Sequence, residues 1–462
     1  MQSQHCKFAK KFHYLRIMNR ITAFNPEHDM ALANGDRHFI APKNIREMAR
    51  DLAPLLEFIE GDKILVWGWD QAIKTRLLRM GIASDMLPTD EALTKLRICS
   101  ERQSAHHLLR AFHADHPDGP YTGESILAHS IDDIAAYATQ HGHIILKDPL
   151  SSSGKGLRHV NINEDDNDNE NFQRVASSSP SLSKVKNWIN ALIKRHGYLT
   201  AEPFYNKVQD FAMEFCIRDE QCHFIGYSLF NTNHHGRYES NLLMADEKIE
   251  DLLAQYIPHS TLHEVRDWII SHSTHIIPTE WNTAKHPLYF GIDMMVVETT
   301  NKVALEREQR LLADSAERNN FNEVNGQQTT DAIRKANFQF SILKVRASEQ
   351  ESSLLELFQR AQPKLNNAVV NSQFRIHPCV EINLRLNMGI IAHEVRRKLL
   401  APDTEGTFHV TAFPTEEAAQ HFHQEQTTKY PPVYREGKIV SGYHPLTPIH
   451  SHTRHHAYVI CG

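Results

Sequence analysis

The segment Ile144-Ile145-Leu146-Lys147-Asp148-Pro149-Leu150-Ser151-Ser152-Ser153-Gly154-Lys155-Gly156-Leu157 joins an apolar strand, a lysine at the strand's end and a loop of serines and glycines. Such a loop can turn several backbone N–H groups toward phosphate oxygens, because glycine tolerates unusual φ angles and allows close approach. The lysine would add a fixed positive charge on the same phosphates. The loop is not a Walker A motif, since Lys155 is followed by Gly156 and an apolar strand. The segment therefore indicates either a phosphate-binding loop or a plain β-hairpin turn.

A second strand alternates polar and apolar residues, at His377-Pro378-Cys379-Val380-Glu381-Ile382-Asn383-Leu384-Arg385. In an extended strand, Glu381, Asn383 and Arg385 share one face. The carboxylate and the amide oxygen suit Mg²⁺, and the guanidinium could neutralise charge on a transferred phosphoryl group. The alternative is an edge strand that faces water.

Two further strands end in, or contain, acids. Asp293 interrupts the apolar strand Tyr289–Val297, and because an unpaired buried carboxylate is costly, it either binds a cation or caps a turn. The strand Leu199–Glu202 leads into the hinge Pro203-Phe204-Tyr205, with Asp210 following at a short distance. Such a hinge can seat an adenine ring, and an acid can bind the ribose hydroxyls, although acids at strand ends are also common on ordinary surfaces.

Taken in order, these motifs resemble the ATP-grasp superfamily over roughly residues 100–400, and the chain resembles its stand-alone members with an N-terminal pre-ATP-grasp domain. The resemblance implies an α/β and α+β fold, in which a small N-terminal α/β domain precedes a two-lobed ATP-grasp fold. It also implies that ATP and Mg²⁺ are bound. The implied roles are Lys147 at the α/β-phosphates; Ser152, Ser153, Gly154 and Gly156 over the β/γ-phosphates; Glu202, Phe204, Tyr205 and Asp210 at adenine and ribose; Asp293, Glu381 and Asn383 around one or two Mg²⁺; and Arg385 toward the transferred phosphoryl group.

Two positions depart from the family's pattern. The helix that opens the first subdomain usually carries a nucleotide-binding lysine, and here Arg102 is the replacement we predict. The arginine that many related ligases carry just before the strand aspartate is Phe290 or Gly291 in this chain. The half of the site that receives the acceptor must therefore be built differently.

The N-terminal region has the strand–helix–strand pattern of a small α/β lobe, and the loop Asn25-Pro26-Glu27-His28-Asp29 follows its first strand. In open α/β sheets this edge is where ligands collect. We predict that Asn25, Glu27, His28 and Arg46 contact the acceptor, and that the acidic loop favours a cationic amine. The alternative is a helix N-cap supplied by Asn25 or Asp29.

The expected domain organisation follows from these patterns. Residues 1–17 are predicted to be a basic, disordered arm, with Met18 as the true start. Residues 18–98 would form the pre-ATP-grasp α/β domain, and residues 99–400 the ATP-grasp domain, with a polar insertion at 163–183 and a large one at 299–373. Residues 401–462 would be a C-terminal segment that packs on the ATP-grasp body.

Composition excludes several classes of protein. No basic face and no interleaving of aromatic and basic residues suggests nucleic-acid binding, and no apolar run approaches the ~18 residues that cross a membrane. The six cysteines lack a CxxC pair, which favours reduced thiols in a cytoplasmic protein. The C-terminal histidines lack the spacing of zinc sites, so we expect them to be solvated; they are His444, His450, His452, His455 and His456.

The function that the sequence predicts is an Mg²⁺- and ATP-dependent carboxylate–amine ligase that forms an amide through an acyl phosphate. Its partners would be small-molecule carboxylate and amine substrates. The alternatives are a small-molecule kinase on the same fold and a nucleotide-binding protein without turnover.

Overall fold

The structure, a computed structural model, describes residues 14–17, 20–151, 156–162, 180–232, 238–278, 281, 286–299 and 373–462. Three residues predicted to cover phosphates, Ser152, Ser153 and Gly154, lie outside these ranges. Residues 163–179 and 300–372 of the two predicted insertions lie outside them too.

The described strands, in chain order, are β1 Tyr14–Ile17, β2 Arg20–Ala23, β3 Ile64–Val66, β4 Ile126–Ala128, β5 His143–Lys147, β6 Leu157–Asn161, β7 Leu199–Pro203, β8 Lys207–Arg218, β9 Gln221–Ser228, β10 Phe230–Thr232, β11 Tyr238–Leu243, β12 Leu288–Glu298, β13 Phe374–Asn383, β14 Gly406–Ala412, β15 Val433–Arg435, β16 Lys438–Pro445 and β17 His455–Cys461. The α-helices are α1 His28–Asn34, α2 Lys43–Leu52, α3 Gln71–Arg79, α4 Asp90–Cys99, α5 Arg102–Asp115, α6 Ile131–His141, α7 Pro180–His196, α8 Asp246–Leu253, α9 His259–Ser271, α10 Met388–Leu399 and α11 Glu416–Lys429. The predicted mixture of α/β and α+β structure is confirmed.

The N-terminal sheet has the order β1-β2-β3, with β2 and β3 parallel and β1 antiparallel to β2. Four residues of the predicted loose arm, Tyr14–Ile17, thus form a strand. The free edge of β2 explains the difference, because an unpaired edge offers a row of N–H and C=O groups that a neighbouring segment can satisfy.

The second sheet, of order β4-β7-β5-β6, is antiparallel throughout and carries α6 and α7 on one face. Alternate residues of β5, Ile144 and Leu146, are fully buried in the core that these helices cover. The strand ends at Lys147, which places the predicted phosphate-binding lysine at the edge of this sheet.

The third sheet, of order β13-β12-β8-β9, has one apolar and one polar face. On the apolar side, Phe290 and Ile292 of β12 pair with Phe215 and Met213 of β8, and all four are fully buried. Helix α9 packs against β9, and α10 also contacts this sheet through β8 and β9. The polar face is left for the residues of the candidate site.

The fourth sheet, of order β10-β11-β14-β17-β16-β15, is antiparallel and formed largely by the C-terminal segment. It meets α2, where Asp51 accepts hydrogen bonds from the backbone N–H groups of Arg454 (2.9 Å) and His455 (3.0 Å). The expectation of solvated C-terminal histidines is wrong for His456, which is fully buried and lies 2.7 Å from the Tyr443 hydroxyl. Burial of this imidazole is tolerated because a hydroxyl contacts its ring nitrogen.

The five cysteines of the described part of the chain are free, in agreement with the predicted reduced thiols. No helix in that part is both long and apolar enough to pass through a bilayer.

Candidate active site

Strand pairing brings together the three residues predicted to hold Mg²⁺. Asp293 of β12 lies directly opposite Glu381 of β13, and Gly291 lies opposite Asn383. Because alternate residues of a strand share a face, Glu381, Asn383 and Asp293 project from the same side of the sheet. The large insertion therefore separates two strands that are neighbours in the fold.

The electrostatics around Asp293 and Glu381 favour a bound cation. Burial, and then repulsion from Glu381, raise the pKa of Asp293 to about 7, against the opposing effects of Arg385 and a hydrogen bond from Asn383. Two facing carboxylates with an amide oxygen beside them are hard ligands of the kind that Mg²⁺ prefers. Among the described residues, no three His, Cys, Asp or Glu side chains form a metal-binding group. The protein can thus supply part of a Mg²⁺ shell and leave the other positions to water and phosphate oxygens.

Lys147 lies at the end of β5, a central strand of the second sheet, beside an acid of the neighbouring strand β7. Its Nζ is 2.5 Å from Glu202 Oε2 of β7, and both side chains are buried. Beyond it, the loop is closed by a hydrogen bond from the Asp148 N–H to the Gly156 carbonyl (2.9 Å). A Cβ on Gly156 would lie 2.0 Å from Ser151 Oγ, so only glycine fits there. Lys147 is thus held in place at the base of the predicted phosphate loop.

Arg102, the predicted replacement for the family's helix lysine, joins the two sheets. It is buried at the start of α5, and its Nη2 is 3.2 Å from Glu381 Oε2. Its Nε donates to the Asp148 carbonyl (3.1 Å) and its backbone N–H to that of Pro149 (3.1 Å). One arginine therefore connects the loop after Lys147 with the acidic strand β13.

The predicted adenine hinge lies at the end of β7. Phe204 is half exposed and stacks on His143, with ring centroids 4.2 Å apart. The Tyr205 hydroxyl accepts a hydrogen bond from the Glu124 N–H (2.9 Å), and its ring meets His377 edge-on at 5.5 Å. The fourth predicted contact, Asp210, forms an ion pair with Lys207.

His377 was not a candidate from the sequence, although alternation along β13 places it on the same face as Glu381. It is fully buried between the hinge and Lys147. Burial, followed by the charges of Lys147 and His113, lowers the pKa of His377 to about 3. A neutral imidazole thus borders the region predicted for the base.

Arg385 lies beside the acids, but its guanidinium already has a partner. The alternation predicted for this residue ends early, because β13 stops at Asn383 and the Arg385 N–H donates to the Asn383 carbonyl (2.8 Å). Its Nε and Nη2 donate to Asp29, at 3.1 Å and 2.9 Å to the nearer oxygens. Burial lowers the pKa of Arg385, but Asp29, together with Glu381 and Asp293, raises it above its ordinary value. The arginine thus ties the end of β13 to α1.

The four residues predicted to contact an acceptor have different surroundings. Asn25 is buried and donates to the Gly68 carbonyl (2.8 Å), and Glu27 forms a buried ion pair with Arg76 (2.7 Å). Arg46 is exposed on α2. The N-cap alternative is wrong, since Glu27 holds that position of α1 without a side-chain cap.

The fourth of these residues, His28, lines a cleft. The cleft joins three parts of the molecule: the N-terminal lobe, the loop after Lys147 and the polar face of β13. Polar residues on its wall include His28, Asp29, Arg102, Ser151, Glu381 and Asn383. Predicted metal, nucleotide and substrate residues therefore share one cavity.

Glu214 is a further buried acid that the sequence did not reveal. It lies on β8 opposite Gly291, is fully buried, and accepts a hydrogen bond from Asn387 Nδ2 (2.6 Å). A Cβ on Gly291 or Gly389 would come within 2.4 Å or 2.2 Å of its carboxylate oxygens. Burial raises the pKa of Glu214 to about 8. The place where the sequence lacks the family's arginine is thus occupied by Glu214 and Asn387.

No protein-family model and no curated protein matches the chain. Among solved structures it is similar to N5-carboxyaminoimidazole synthetase from Staphylococcus aureus complexed with ADP, at 10% identity and a TM-score of 0.43, over 96% of this chain and 94% of that chain. It is also similar to biotin carboxylase from Campylobacter jejuni, at 10% identity and a TM-score of 0.40, over 96% and 87% of the two chains.

Proposed function

We propose that this chain is an Mg²⁺- and ATP-dependent ligase of the ATP-grasp superfamily, which joins a small carboxylate to an amine through an acyl phosphate. The observation that carries the proposal is the direct pairing of Asp293 with Glu381 across β12 and β13. Glu381 borders a cleft whose wall also includes Ser151 of the loop after Lys147. Two facing acids, one of which shares a cleft with Ser151, are an arrangement suited to phosphates and their counter-cation.

Each residue's role follows from its contacts. Bound between Asp293, Glu381 and Asn383, Mg²⁺ would supply positive charge against the phosphate oxygens. Lys147 binds the phosphates as a fixed charge, and Glu202 holds its ammonium in position. Arg102 orients Glu381 through its 3.2 Å contact.

In the reaction, a carboxylate oxygen of the substrate attacks the γ-phosphorus of ATP in line, and ADP leaves. The amine nitrogen then attacks the acyl carbon, the C–N bond forms and inorganic phosphate departs. No side chain of the protein becomes covalently attached, so the protein contributes position and charge. The phosphate loop, Lys147 and the acidic strand would together perform the first step.

The test is the consumption of Mg·ATP across a panel of small carboxylates and amines. We expect ADP and phosphate to form only when a carboxylate and an amine are both present. A kinase would need one acceptor, and a protein without turnover would consume no ATP; either result would overturn the ligase.

The matched variants are Lys147→Ala and Lys74→Ala. Both lysines lie 2.5 Å from an acid, but Lys74 is on α3 and pairs with Asp90. Lys147→Ala should weaken ATP binding by about 2–4 kcal/mol, the range for removing one partner of a buried charged contact. Lys74→Ala should leave ATP affinity unchanged by calorimetry.

A further inference from the structure

His28 and Asp70 form a buried pair at the wall of the cleft. His28 Nδ1 lies 3.3 Å from Asp70 Oδ2, and the two side chains are 1% and 2% exposed. The imidazole lies flat against Gly68, where a Cβ would come within 2.4 Å of the ring. The plane and position of the ring are therefore fixed by packing.

Asp70 is held from two other directions. Its Oδ1 accepts the Ile73 N–H (2.8 Å) as the N-cap of α3, and its Oδ2 accepts from Asn25 Nδ2 (3.2 Å). Asn25 is fixed in turn, since its Oδ1 accepts from the Gly68 N–H (3.2 Å). A carboxylate constrained in this way selects the tautomer in which Nδ1 carries the proton.

The contact with Asp70 also decides which ring nitrogen of His28 is left for a ligand. Because Asp70 engages Nδ1, Nε2 is the nitrogen that can reach a ligand, and His28 lines the cleft together with Glu381 and Asn383. An aspartate, a histidine and a cleft in this order are the arrangement by which proteins position a general base. A histidine that served packing alone would gain nothing from bordering the predicted phosphate site.

We infer that His28 Nε2 accepts the proton of the attacking amine, with Asp70 as the residue that positions it. The inference rests on the proposed ligase and deepens it, because it assigns the acceptor's side of the cleft. As the amine nitrogen forms its bond to the acyl carbon, the C–O bond to phosphate breaks and phosphate leaves with the electron pair. The nitrogen gives up two protons in becoming an amide. One passes to Nε2, where Asp70 stabilises the resulting imidazolium, and the other leaves with the phosphate as hydrogen phosphate.

The identity of the nucleophile provides the test. An alkylamine arrives protonated at neutral pH and depends on a base, whereas hydroxylamine is largely uncharged and strongly nucleophilic. Wild-type protein is first screened with Mg·ATP and a carboxylate panel, using hydroxylamine to trap acyl phosphate as a coloured hydroxamate. The same carboxylates are then assayed with ammonium and α-amino acids, following phosphate release and the mass of the amide.

We expect His28→Gln to lower the amine reaction by about 100-fold or more, as for loss of a general base, while hydroxamate formation stays close to the wild-type rate. Asp70→Asn, which retains an N-cap residue, should cause a smaller selective loss. Asp62→Asn is the matched control: it removes another buried charge of the N-terminal lobe, paired with Arg218 (3.1 Å), and should affect both nucleophiles equally.

The outcomes separate the two proposals. If the wild type yields no product with either nucleophile, the ligase itself is excluded and the role of His28 falls with it. If the wild type is active and His28→Gln slows both nucleophiles equally, or neither, the ligase stands and the base is not His28. Melting temperatures of the variants show whether a loss reflects unfolding.

Discussion

Among the acids of the described residues, those of two regions have opposite surroundings. Where α2 meets the C-terminal sheet, Asp51 accepts hydrogen bonds from Arg50 Nε (2.7 Å) and from two backbone N–H groups. On the polar face of the third sheet, Asp293 faces another carboxylate, Glu381. The nearby Glu214 has a hydrogen bond from Asn387 and the charge of Asp293 close by.

The pKa values record this difference. Burial raises the pKa of Asp51, but hydrogen bonds from His455 and Arg50 lower it by more, to about 2. Burial raises the pKa of Glu214 to about 8 and that of Asp293 to about 7. Asp51 is thus well supplied with donors, whereas Asp293 faces a like charge, as the proposed cation site would require.

The largest expected effect comes from removing the predicted metal ligands. Glu381→Gln and Asn383→Ala should abolish Mg²⁺-dependent turnover of ATP. Both variants should stay folded, because each removes a single contact, the ion pair of Glu381 with Arg102 or the hydrogen bond of Asn383 to Asp293. Melting temperatures check this. If a folded double variant still turns over ATP normally with Mg²⁺, the metal site lies elsewhere. The different surroundings of Asp51 and Asp293 would then not indicate a functional site.

The next largest effect is a fall in stability with rising pH that Glu214 should cause. Its pKa is raised from 4.5 to about 8 in the folded state, so the folded protein holds a proton that the unfolded chain has released. Stability should therefore fall as pH rises between about 4.5 and 8. Glu214→Gln should flatten this slope, with its stabilisation over wild type growing through the window. Denaturant titrations at both ends of the window measure the effect, and parallel curves for the two proteins would contradict it.

The smallest effect is expected at Asp51, where stability should rise with pH instead of falling. Its pKa falls from 3.8 to about 2 on folding, a difference worth about 2 kcal/mol. This stability is present above pH 3.8 and is lost as pH falls through about 2. Asp51→Asn should lose it at neutral pH, and the activity of the folded protein should be unchanged. A variant whose turnover fell while its stability held would place Asp51 with the functional acids.

The sequence predicted those parts of the site that lie within single strands. Alternation identified Glu381 and Asn383, an interrupted apolar strand identified Asp293, and the composition of the loop identified Lys147. All four lie where strand periodicity decides the direction of a side chain.

What the sequence could not predict depends on contacts between distant segments. Glu214, Gly291 and Asn387 belong to three elements, and nothing local shows that two glycine positions leave room for a buried carboxylate. Arg385 departs from alternation because the chain leaves the sheet, where the Leu386 N–H donates to the Trp67 carbonyl (2.8 Å) of the N-terminal lobe. The sequence could not reveal Asp70 as a partner of His28, because the packing of α3, whose N-cap is Asp70, against α1 brings them together.

The pairing of β12 with β13 has a consequence for the segment of the gene that encodes the residues between them. Pairing continues to Glu298 opposite Phe374, and the Thr299 N–H donates to the Gln373 carbonyl (2.8 Å). The polypeptide thus leaves and re-enters the sheet at adjacent points, as it would at an ordinary hairpin turn. The intervening coding sequence can lengthen, shorten or be exchanged between homologues without altering strand register, which makes this junction a natural cassette site for recombination and for protein engineering.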